Sequence, residues 1–324
     1  MTTGLIISNP PWPKQDYEPL QVPPKRLRQV AEDELRETES ARADCLRQLR
    51  EWIGKNDDVR DCLTDDNFLL RFLRVKKFSV PMAQQVLLKY LNYRKRFRHL
   101  LYGLDHAEPS VSRLIDSGYL YVSPTRDSKG RRVVVYDTTK FDARVFSGLD
   151  MGRAHAVTYE TLLSDEENQI LGVVHVADLA GLNPAFLTLF SVTEFGYLIK
   201  WGEQSFPMRH KEIHLVNMPQ ALKYVYDFAK SNMSAKLKDR LTVHDSKASL
   251  VEAVGFDCLP REWGGETSAA SMLTLWRGEL EAKKARVLSL DRMTLLSDKG
   301  IVRSRAAKRE DVSLVGSFRM LQVD

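Results

Sequence analysis

The sequence predicts an α/β protein in which a small helical bundle precedes a domain with a mostly parallel β-sheet. Residues 25–100 show only helical periodicity, with apolar residues three and four positions apart. After Gly118, strand-like runs alternate with helical segments, which is typical of βαβ units. The predicted units are a Pro-rich flexible leader (1–24), a helical N-terminal domain (25–100), an α/β domain (101–267) and a C-terminal helix with a basic tail (268–324).

The composition indicates an ordinary soluble protein. Hydrophobic residues make up 43% and charged residues 28%, and a net charge of +5 is too small to imply nucleic acid binding. Cys45, Cys62 and Cys258 form no close pair, which favours a reducing compartment. No apolar run has the length of a membrane span or a signal peptide core. We therefore expect a cytoplasmic protein with peripheral, reversible membrane contact.

The N-terminal segments follow from proline content and helix signals. Residues 1–24 contain six of the thirteen prolines, and proline fixes φ and lacks an N–H donor, so a flexible leader is expected. Helices are predicted at 32–52, 67–75 and 82–97. Thr64 or Asp65 is expected to cap the second helix, and Ser79 with Pro81 to start the third.

The segments after Gly118 alternate between predicted strands and predicted helices. Strands are predicted at 119–122, 132–136, 170–176 and 211–217, and helices at 151–164, 184–201, 249–254 and 268–290. The acidic run 165–167 is expected to be a solvated loop before a strand. From Lys283 to Arg309 the charge is strongly basic, and the role of this segment is left open between membrane binding and disorder.

The stretch from Ser205 to Arg240 predicts a strand followed by an amphipathic helix. Asn217 is expected to cap this helix just before Pro219. From Arg209 to Arg240 there are seven Lys or Arg residues against three Asp or Glu. Two interpretations stay open: a plain core helix, or a helix that closes an apolar cavity and contacts an anionic membrane. One apolar face of the helix comprises Met218, Leu222, Val225 and Phe228.

No catalytic or metal motif is present in the sequence. His210 and His214 are four residues apart, but on a strand this separation spans about 13 Å, so they cannot share a metal ion. His155 and Tyr159 share one face of a predicted helix. They are either polar tips of a helix face or polar groups that orient a ligand hydroxyl or carbonyl in an apolar cavity. No cofactor and no catalytic residue are predicted.

Four sequence motifs resemble landmarks of the CRAL-TRIO lipid-binding family, in its order and spacing. They are Phe68–Arg74 followed by Lys77-Phe78, Asp178–Gly181, Phe206-Pro207 leading into Ile213–Asn217, and Leu259–Gly265. The resemblance covers roughly Val59 to Gly265 and is strongest to the tocopherol-transfer, retinaldehyde-binding and clavesin-like branch. The terminal residues 316–324 are similar to the ending of insect members of that group.

The resemblance implies a non-enzymatic carrier that binds one lipophilic molecule, such as a tocopherol, retinoid or carotenoid, under a lid helix. The implied lid is 218–230. The implied phosphoinositide-binding residues are Arg209, Lys211, Lys236 and Arg240, which would contact a phosphoinositide-containing membrane. The implied cavity positions are His155, Tyr159, Val173, Leu198, Trp201, Phe206, Met208 and Ile213.

Departures from the family pattern refine this expectation. Tocopherol-transfer members have small serines where His155 and Tyr159 stand, so the pocket here has a different shape. Yeast phosphatidylinositol-transfer members have an acidic residue near the position of Met208, which argues against a phosphatidylinositol headgroup in this cavity. Two alternatives remain: a phosphoinositide-binding trafficking or signalling adaptor without cargo, and a lipid-modifying enzyme that uses His155 with Tyr159.

Overall fold

The N-terminal half of the fold is helical. A computed structural model describes residues 24–189, 191–220 and 223–302, except the side chains of 187, 192, 193, 197, 200 and 201. Its first elements are α1 (Pro24–Leu35), α2 (Glu39–Lys55), β1 (Val59–Arg60), α3 (Asp66–Val75), α4 (Val80–Arg96), α5 (Arg98–Leu101) and α6 (Pro109–Asp116). Most of the predicted leader therefore lies outside the described residues, and Pro24 opens the first helix.

The prediction of a single helix at 32–52 is wrong, because this range contains the end of α1 and the start of a separate helix, α2. Arg36 has a φ of 64°, a left-handed conformation that ends α1. Thr38 then starts α2, since its hydroxyl accepts a hydrogen bond from the Ala41 amide at 3.1 Å. Asp65 caps α3 as predicted, accepting from the Phe68 amide at 3.0 Å. Local side-chain to backbone bonds thus fix the starts of these two helices.

Five strands form the main sheet in the order β2-β3-β4-β5-β6, where β2 and β3 are antiparallel and the other pairs are parallel. This arrangement confirms the predicted mostly parallel sheet. A separate antiparallel pair joins β1 to β7 and so ties the end of the described chain to the helical half. The bounds are β2 (Leu120–Arg126), β3 (Arg132–Asp137), β4 (Val173–Asp178), β5 (His210–Val216), β6 (Leu241–His244) and β7 (Thr294–Leu295).

The helices of the second half pack around this sheet. α7 contacts β2 and α13, and α10 contacts α9. None of the described helices is long and apolar enough to cross a bilayer. The bounds are α7 (Gly148–Leu163), α8 (Glu166–Leu171), α9 (Val192–Ser205), α10 (Lys223–Ser231), α11 (Ala235–Lys238), α12 (Lys247–Val254) and α13 (Ala269–Leu288).

Two predictions around α8 are wrong. Ile170 and Leu171 end this helix rather than begin a strand, and Gly172, with a φ of 81°, separates them from β4. The acidic run is the cap and first turn of α8 and is not merely solvated. Glu166, for example, lies 2.7 Å from Arg74 and 3.0 Å from Arg42. Glu166, at the start of α8, thus pairs with cations of the N-terminal helices.

A buried ion cluster joins the N-terminal helices to α7. Arg71 donates to Glu160 at 2.9 Å, and the Tyr90 hydroxyl donates to the same carboxylate at 2.7 Å. Arg71 and Glu160 are both almost fully buried. Arg71 and Arg74 are the two arginines of the Phe68–Arg74 motif. This motif therefore supplies two of the charged contacts between the helical half and the sheet half, which also share one continuous hydrophobic core.

The first part of the basic C-terminal segment is folded. Lys283 pairs with Asp165, and Lys284 lies 2.8 Å from Asp105. Arg286 lies 2.8 Å from Asp65. These cations fasten α13 to the body, so disorder is excluded for this part of the segment. Residues 303–324, which include the end of the basic segment, lie outside the described part of the chain.

Candidate ligand cavity and basic surface

A cavity of about 330 Å3 lies between α4, α5, α7 and α9. Its wall is mostly apolar, and the polar groups of α7 and of the start of β5 interrupt it at one side. An apolar cavity with few polar groups is the usual form of a small-molecule site, and the volume is at the lower end of the range of such sites. The wall includes Tyr93, Leu100, Leu101, Met151, Ala156, Ile199 and Gly202, besides the residues discussed below.

The sheet face that carries His175 opens progressively towards β6. Residues paired across parallel strands point to the same side of a sheet. In the row that runs from Val134 through His175 and Ile213 to Leu241, the first two side chains are buried and the last two only half-buried. Because β5 is an interior strand, half-buried Ile213 faces open space above the sheet. This apolar sheet face, the floor, lies on the same side of the sheet as the cavity.

The predicted cavity residues lie in different parts of the molecule. His155, Tyr159, Leu198 and Phe206 lie in the cavity wall. Ile213 lies on the floor of the open sheet face, as described above. Val173 and Met208 are buried in the core, outside this wall. The Trp201 side chain lies outside the described part of the chain. Ligand contact at these positions stays a prediction.

Polar groups on α7 are joined to the sheet by hydrogen bonds. The Tyr119 hydroxyl lies 2.9 Å from His155 Nε2, and His155 Nδ1 lies 3.4 Å from the Tyr159 hydroxyl. The second distance is long for a hydrogen bond, so this is the weak link of the series. His155 and Tyr159 are half-buried and line the cavity. They are therefore cavity groups rather than solvent-facing polar tips.

The series continues across the sheet to His210. The hydroxyl groups of Tyr159 and Tyr136 are 2.9 Å apart, and the Tyr136 hydroxyl lies 2.8 Å from His175 Nδ1. His175 Nε2 lies 2.8 Å from His210 Nδ1, and the His210 ring reaches the cavity wall. His214 instead bonds His244 at 2.9 Å. His210 and His214 thus have separate partners, and His210 contributes a polar cavity group that sequence reasoning missed.

Burial keeps this series of side chains uncharged at neutral pH. It lowers the pKa of His155 to about 4 and that of His210 to about 4. Burial also lowers the pKa of His175 well below its usual value and raises the pKa of Tyr159 to about 12. The physical cause is the loss of water around a charge, which disfavours the imidazolium and the phenolate alike. The cavity therefore offers neutral donors and acceptors.

The predicted lid helix corresponds to α10. None of the residues described in α10 is fully buried, and Tyr224 is 59% exposed. Phe228 stacks on Phe195 of α9 with ring centroids 6.5 Å apart, and Phe195 lines the cavity. α10 thus lies against the helix that walls the cavity. Met218 and Val225 are half-buried, and Leu222 lies outside the described residues.

Asn217 does not cap this helix as predicted. It lies six residues before the described start of α10 and has a φ of 56°. Its side-chain amide donates to Asp178 at 2.9 Å. Lys247 also lies 2.9 Å from Asp178, so this carboxylate holds together the ends of β4 and β5 and the start of α12. Asp178 and Asn217, each from a family motif, have a structural role.

The four predicted phosphoinositide-binding cations lie on one surface, which we call the basic surface: Arg209, Lys211, Lys236 and Arg240. Burial lowers the pKa of Lys211, and so do the charges of Arg209 and Arg240. Burial also lowers the pKa of Lys236, as do Arg240, Arg209, Lys76 and Lys77. Such mutual effects require the cations to be close together.

Sequence reasoning missed three residues at this surface: Lys76, Lys77 and Glu34. Lys76 and Lys77 come from the turn after α3, and the only available signal was that Lys77 belongs to the first family motif. Glu34 of α1 accepts hydrogen bonds from Arg209 and from Lys211, each at 2.6 Å. No sequence pattern pointed to Glu34, because its partners are 175 and 177 residues away.

Comparisons with known proteins agree with the motifs. Residues 116–265 match the CRAL/TRIO domain. Clavesin-1 from Xenopus laevis is 29% identical over 68% of this chain and 67% of its own length. The human alpha-tocopherol transfer protein-like protein is 30% identical over 78% of this chain and 74% of its own length. The crystal structure of Sfh5 aligns with a TM-score of 0.49 at 14% identity, covering 83% of this chain and 99% of that one. On the sequence relationships, the chain belongs to the CRAL-TRIO family, in the branch of the clavesins and the alpha-tocopherol transfer protein-like proteins.

Proposed function

We propose that this protein is a carrier that binds one lipophilic small molecule in its cavity and releases it at phosphoinositide-containing membranes. The observation that carries the proposal is an apolar cavity, next to an open apolar sheet face, walled by a helix on which α10 lies. A name among the relatives, alpha-tocopherol transfer protein-like, points to the same kind of activity.

Burial of an apolar ligand supplies the binding free energy. Each Å2 of apolar surface removed from water contributes about 25 cal/mol, so a ligand that fills the cavity needs few hydrogen bonds. The uncharged wall suits a neutral molecule, because a buried charge would lack a compensating partner there. Cargo of the tocopherol, retinoid or carotenoid kind meets both conditions.

Release is proposed to occur when α10 moves away from α9 into the membrane surface. α10 has an exposed aromatic residue, and none of its described residues is fully buried. Moving this helix therefore breaks few core contacts. Cations near an anionic bilayer each contribute about 1 kcal/mol of attraction. The basic surface, which includes Lys236 of α11 directly after α10, would hold the protein at a phosphoinositide headgroup while the cavity opens.

An enzymatic role for His155 and Tyr159 is disfavoured. A general base should titrate near the working pH, whereas burial lowers the pKa of His155 to about 4. Burial likewise raises the pKa of Tyr159 to about 12, so this phenol stays protonated. Both side chains are engaged, His155 by Tyr119 and Tyr159 by Tyr136. Their arrangement fits a ligand-orienting role.

Extraction of the purified protein tests the carrier proposal. Organic extracts analysed by mass spectrometry should contain one lipophile per protein molecule, or the protein should acquire one from a lipid extract. A chain that stays empty and still binds phosphoinositide vesicles would contradict the carrier and support the adaptor.

Transfer between vesicles tests the release mechanism. Replacing Arg209 and Lys211 by Ala should slow delivery to vesicles that contain phosphoinositides and leave ligand binding unchanged. The control variant Lys55→Ala/Lys299→Ala makes the same change in net charge at two exposed positions. Equal transfer rates for the two double variants would rule out a role for the basic surface.

A further inference from the structure

The hydrogen bonds that end at His210 restrict which side chain donates and which accepts in each of them. Tyr159, Tyr136, His175 and His210 are joined by three hydrogen bonds of 2.9, 2.8 and 2.8 Å. A tyrosine hydroxyl carries one hydrogen, and a neutral imidazole carries one hydrogen on one of its two nitrogens. Each bond needs one hydrogen, so the four groups have one more than the three bonds consume.

Only two arrangements satisfy all three bonds and also give the hydrogen of the interior Tyr136 hydroxyl an acceptor within the series. In the first, every group donates towards His210, which then accepts at Nδ1 and carries its own hydrogen on Nε2. In the second, every group donates in the opposite direction, so His210 donates from Nδ1 and its Nε2 is an acceptor. A third order, in which Tyr136 accepts from both Tyr159 and His175, leaves the Tyr136 hydrogen without an acceptor in the series, which is costly for a buried polar group. His210 Nε2 is thus a donor in one arrangement and an acceptor in the other.

His210 Nε2 is also the unused end of the series. Its ring lies in the cavity wall, and this nitrogen has no hydrogen-bond partner among residues 24–189, 191–220 and 223–302. Around it the wall is formed by apolar groups such as Phe206 and Ile199. A polar atom on an apolar wall gains most from a ligand that brings one matching polar group.

We infer that His210 selects the cargo: its Nε2 binds the single neutral polar group of an otherwise apolar ligand, either a hydroxyl or a carbonyl. This inference rests on the proposed carrier function and narrows its ligand class. A carbonyl oxygen accepts from Nε2–H in the first arrangement, and a hydroxyl donates to bare Nε2 in the second. The alcohol and the carbonyl form of one hydrocarbon skeleton are therefore both ligands.

A carboxylate should be rejected at the same place. Burial keeps His155, His175 and His210 neutral, because it lowers the pKa of each. The two charged side chains that most influence His210 are Glu203 and Arg240, and their effects on its pKa have opposite signs. No Lys or Arg is among the described residues that line the cavity, so the site offers an anion no cation in exchange for its lost hydration.

A matched ligand series tests the inference. The full-length protein is incubated with phosphatidylcholine vesicles that contain hexadecane, 1-hexadecanol, 2-heptadecanone and palmitate in equal amounts. Protein is separated from the vesicles, and the bound compounds are quantified by gas chromatography with mass spectrometry. We expect His210→Phe to lower the occupancy of the alcohol and the ketone relative to hexadecane by roughly fivefold, the effect of one hydrogen bond.

Two further variants make the result specific. His210→Gln keeps a donor and an acceptor and should retain the preference for both polar compounds over hexadecane. This variant tests the inference by itself if His210→Phe does not fold, because loss of the preference in His210→Gln would contradict it. His244→Phe removes an imidazole whose partner is His214, away from the cavity series, and should behave as wild type. Palmitate should be the weakest of the polar ligands in every variant.

The outcomes separate the inference from the carrier proposal. Equal effects of His210→Phe on hexadecane and on the polar compounds would overturn the inference, and so would preferred binding of palmitate, while the carrier function would stand. Binding of none of the four compounds would contradict the carrier function itself, and the inference with it.

Discussion

The carboxylate of Glu34 lies 2.6 Å from the guanidinium of Arg209, which is 175 residues further along the chain. The same carboxylate oxygen accepts from Lys211 at 2.6 Å. Glu34 belongs to α1, which packs on α8 in a small hydrophobic cluster separate from the main core. A carboxylate of the protein itself thus pairs with two of the four cations that we propose bind a phosphoinositide headgroup.

Glu34→Gln should therefore strengthen binding to vesicles that contain phosphoinositides. A headgroup no longer has to displace a charged carboxylate from Arg209 and Lys211, and the surface gains one unit of net positive charge. The expected increase is about fivefold at low ionic strength, corresponding to about 1 kcal/mol per charge near an anionic surface. It should shrink as salt screens the interaction. Co-sedimentation with vesicles at several salt concentrations measures both effects.

Glu32→Gln is the matched control for this experiment. Glu32 is an exposed residue of the same helix and has no ion pair among the described residues, so the variant changes the net charge equally. If Glu32→Gln increases vesicle binding as much as Glu34→Gln, the effect is one of overall charge and Glu34 does not compete with the headgroup.

Tyr224→Ser should weaken the association of the protein with vesicles and leave the amount of bound ligand unchanged. Tyr224 is on α10, the proposed lid, and 59% of it is exposed. An aromatic side chain with a polar tip is suited to the bilayer interface. Vesicle flotation should show a several-fold loss of bound protein, since one aromatic anchor no longer enters the interface.

Phe256→Ser removes an aromatic residue of similar exposure, 54%, at a different site. Phe256 lies in the turn Phe256–Cys258, which packs against β2, at the opposite edge of the sheet from β6. Vesicle binding should be the same as in wild type. An equal loss in both variants would mean that general surface hydrophobicity, and not α10, drives the association.

Local signals explain what the sequence predicted correctly. The alternation of strands and helices sets the mostly parallel sheet, because each parallel connection needs a crossover segment. Asp65 was predictable as a helix cap since the bond to Phe68 spans only three residues. Ile170 and Leu171 were assigned to a strand because their apolar character continues into β4. In the folded protein they belong to the short helix α8 and pack under α1.

Long-range partners explain what the sequence did not predict. A histidine on a strand, such as His175 or His210, gives no indication of what faces it, and these two residues are 35 positions apart. Their bond depends on β4 and β5 being neighbours and on the rotation of both rings. The pairing of Glu34 with the basic surface likewise requires the packing of α1 on α8, which no periodicity encodes.

Glu160→Gln should destabilise the protein by about 3–5 kcal/mol, because it leaves the buried cation of Arg71 without its counter-ion. The side chains of Arg71 and Arg94 are each 1% exposed, and they lie 2.9 and 3.6 Å from Glu160. Urea unfolding followed by circular dichroism gives the free energy of unfolding. Glu51→Gln alters a solvent-exposed pair with Arg47 and should change it little. Similar losses in the two variants would show that the buried cluster does not join the two halves.

The buried histidines should make the protein less stable as the pH falls from 6.5 to about 4.5. Burial lowers the pKa of His155 from 6.5 to about 4, so in this range the unfolded chain takes up a proton that the folded protein does not. The free energy of unfolding then rises with pH, by up to about 1.4 kcal/mol per pH unit for each such histidine. Below about 4.5, paired carboxylates such as Glu34, whose pKa is lowered by Lys211 and Arg209 against the effect of burial, add to the loss.

His155→Phe should therefore flatten the dependence of stability on pH between 6.5 and 4.5, by about the contribution of one histidine. Tyr159→Phe alters the same wall of the cavity, but burial raises the pKa of this tyrosine to about 12, so its removal should leave the slope unchanged. Urea unfolding at half-unit pH steps measures the slope for all three proteins. An unchanged slope in His155→Phe would mean that His155 takes up its proton equally in the folded and unfolded states, and hence that the cavity is open to water at this position.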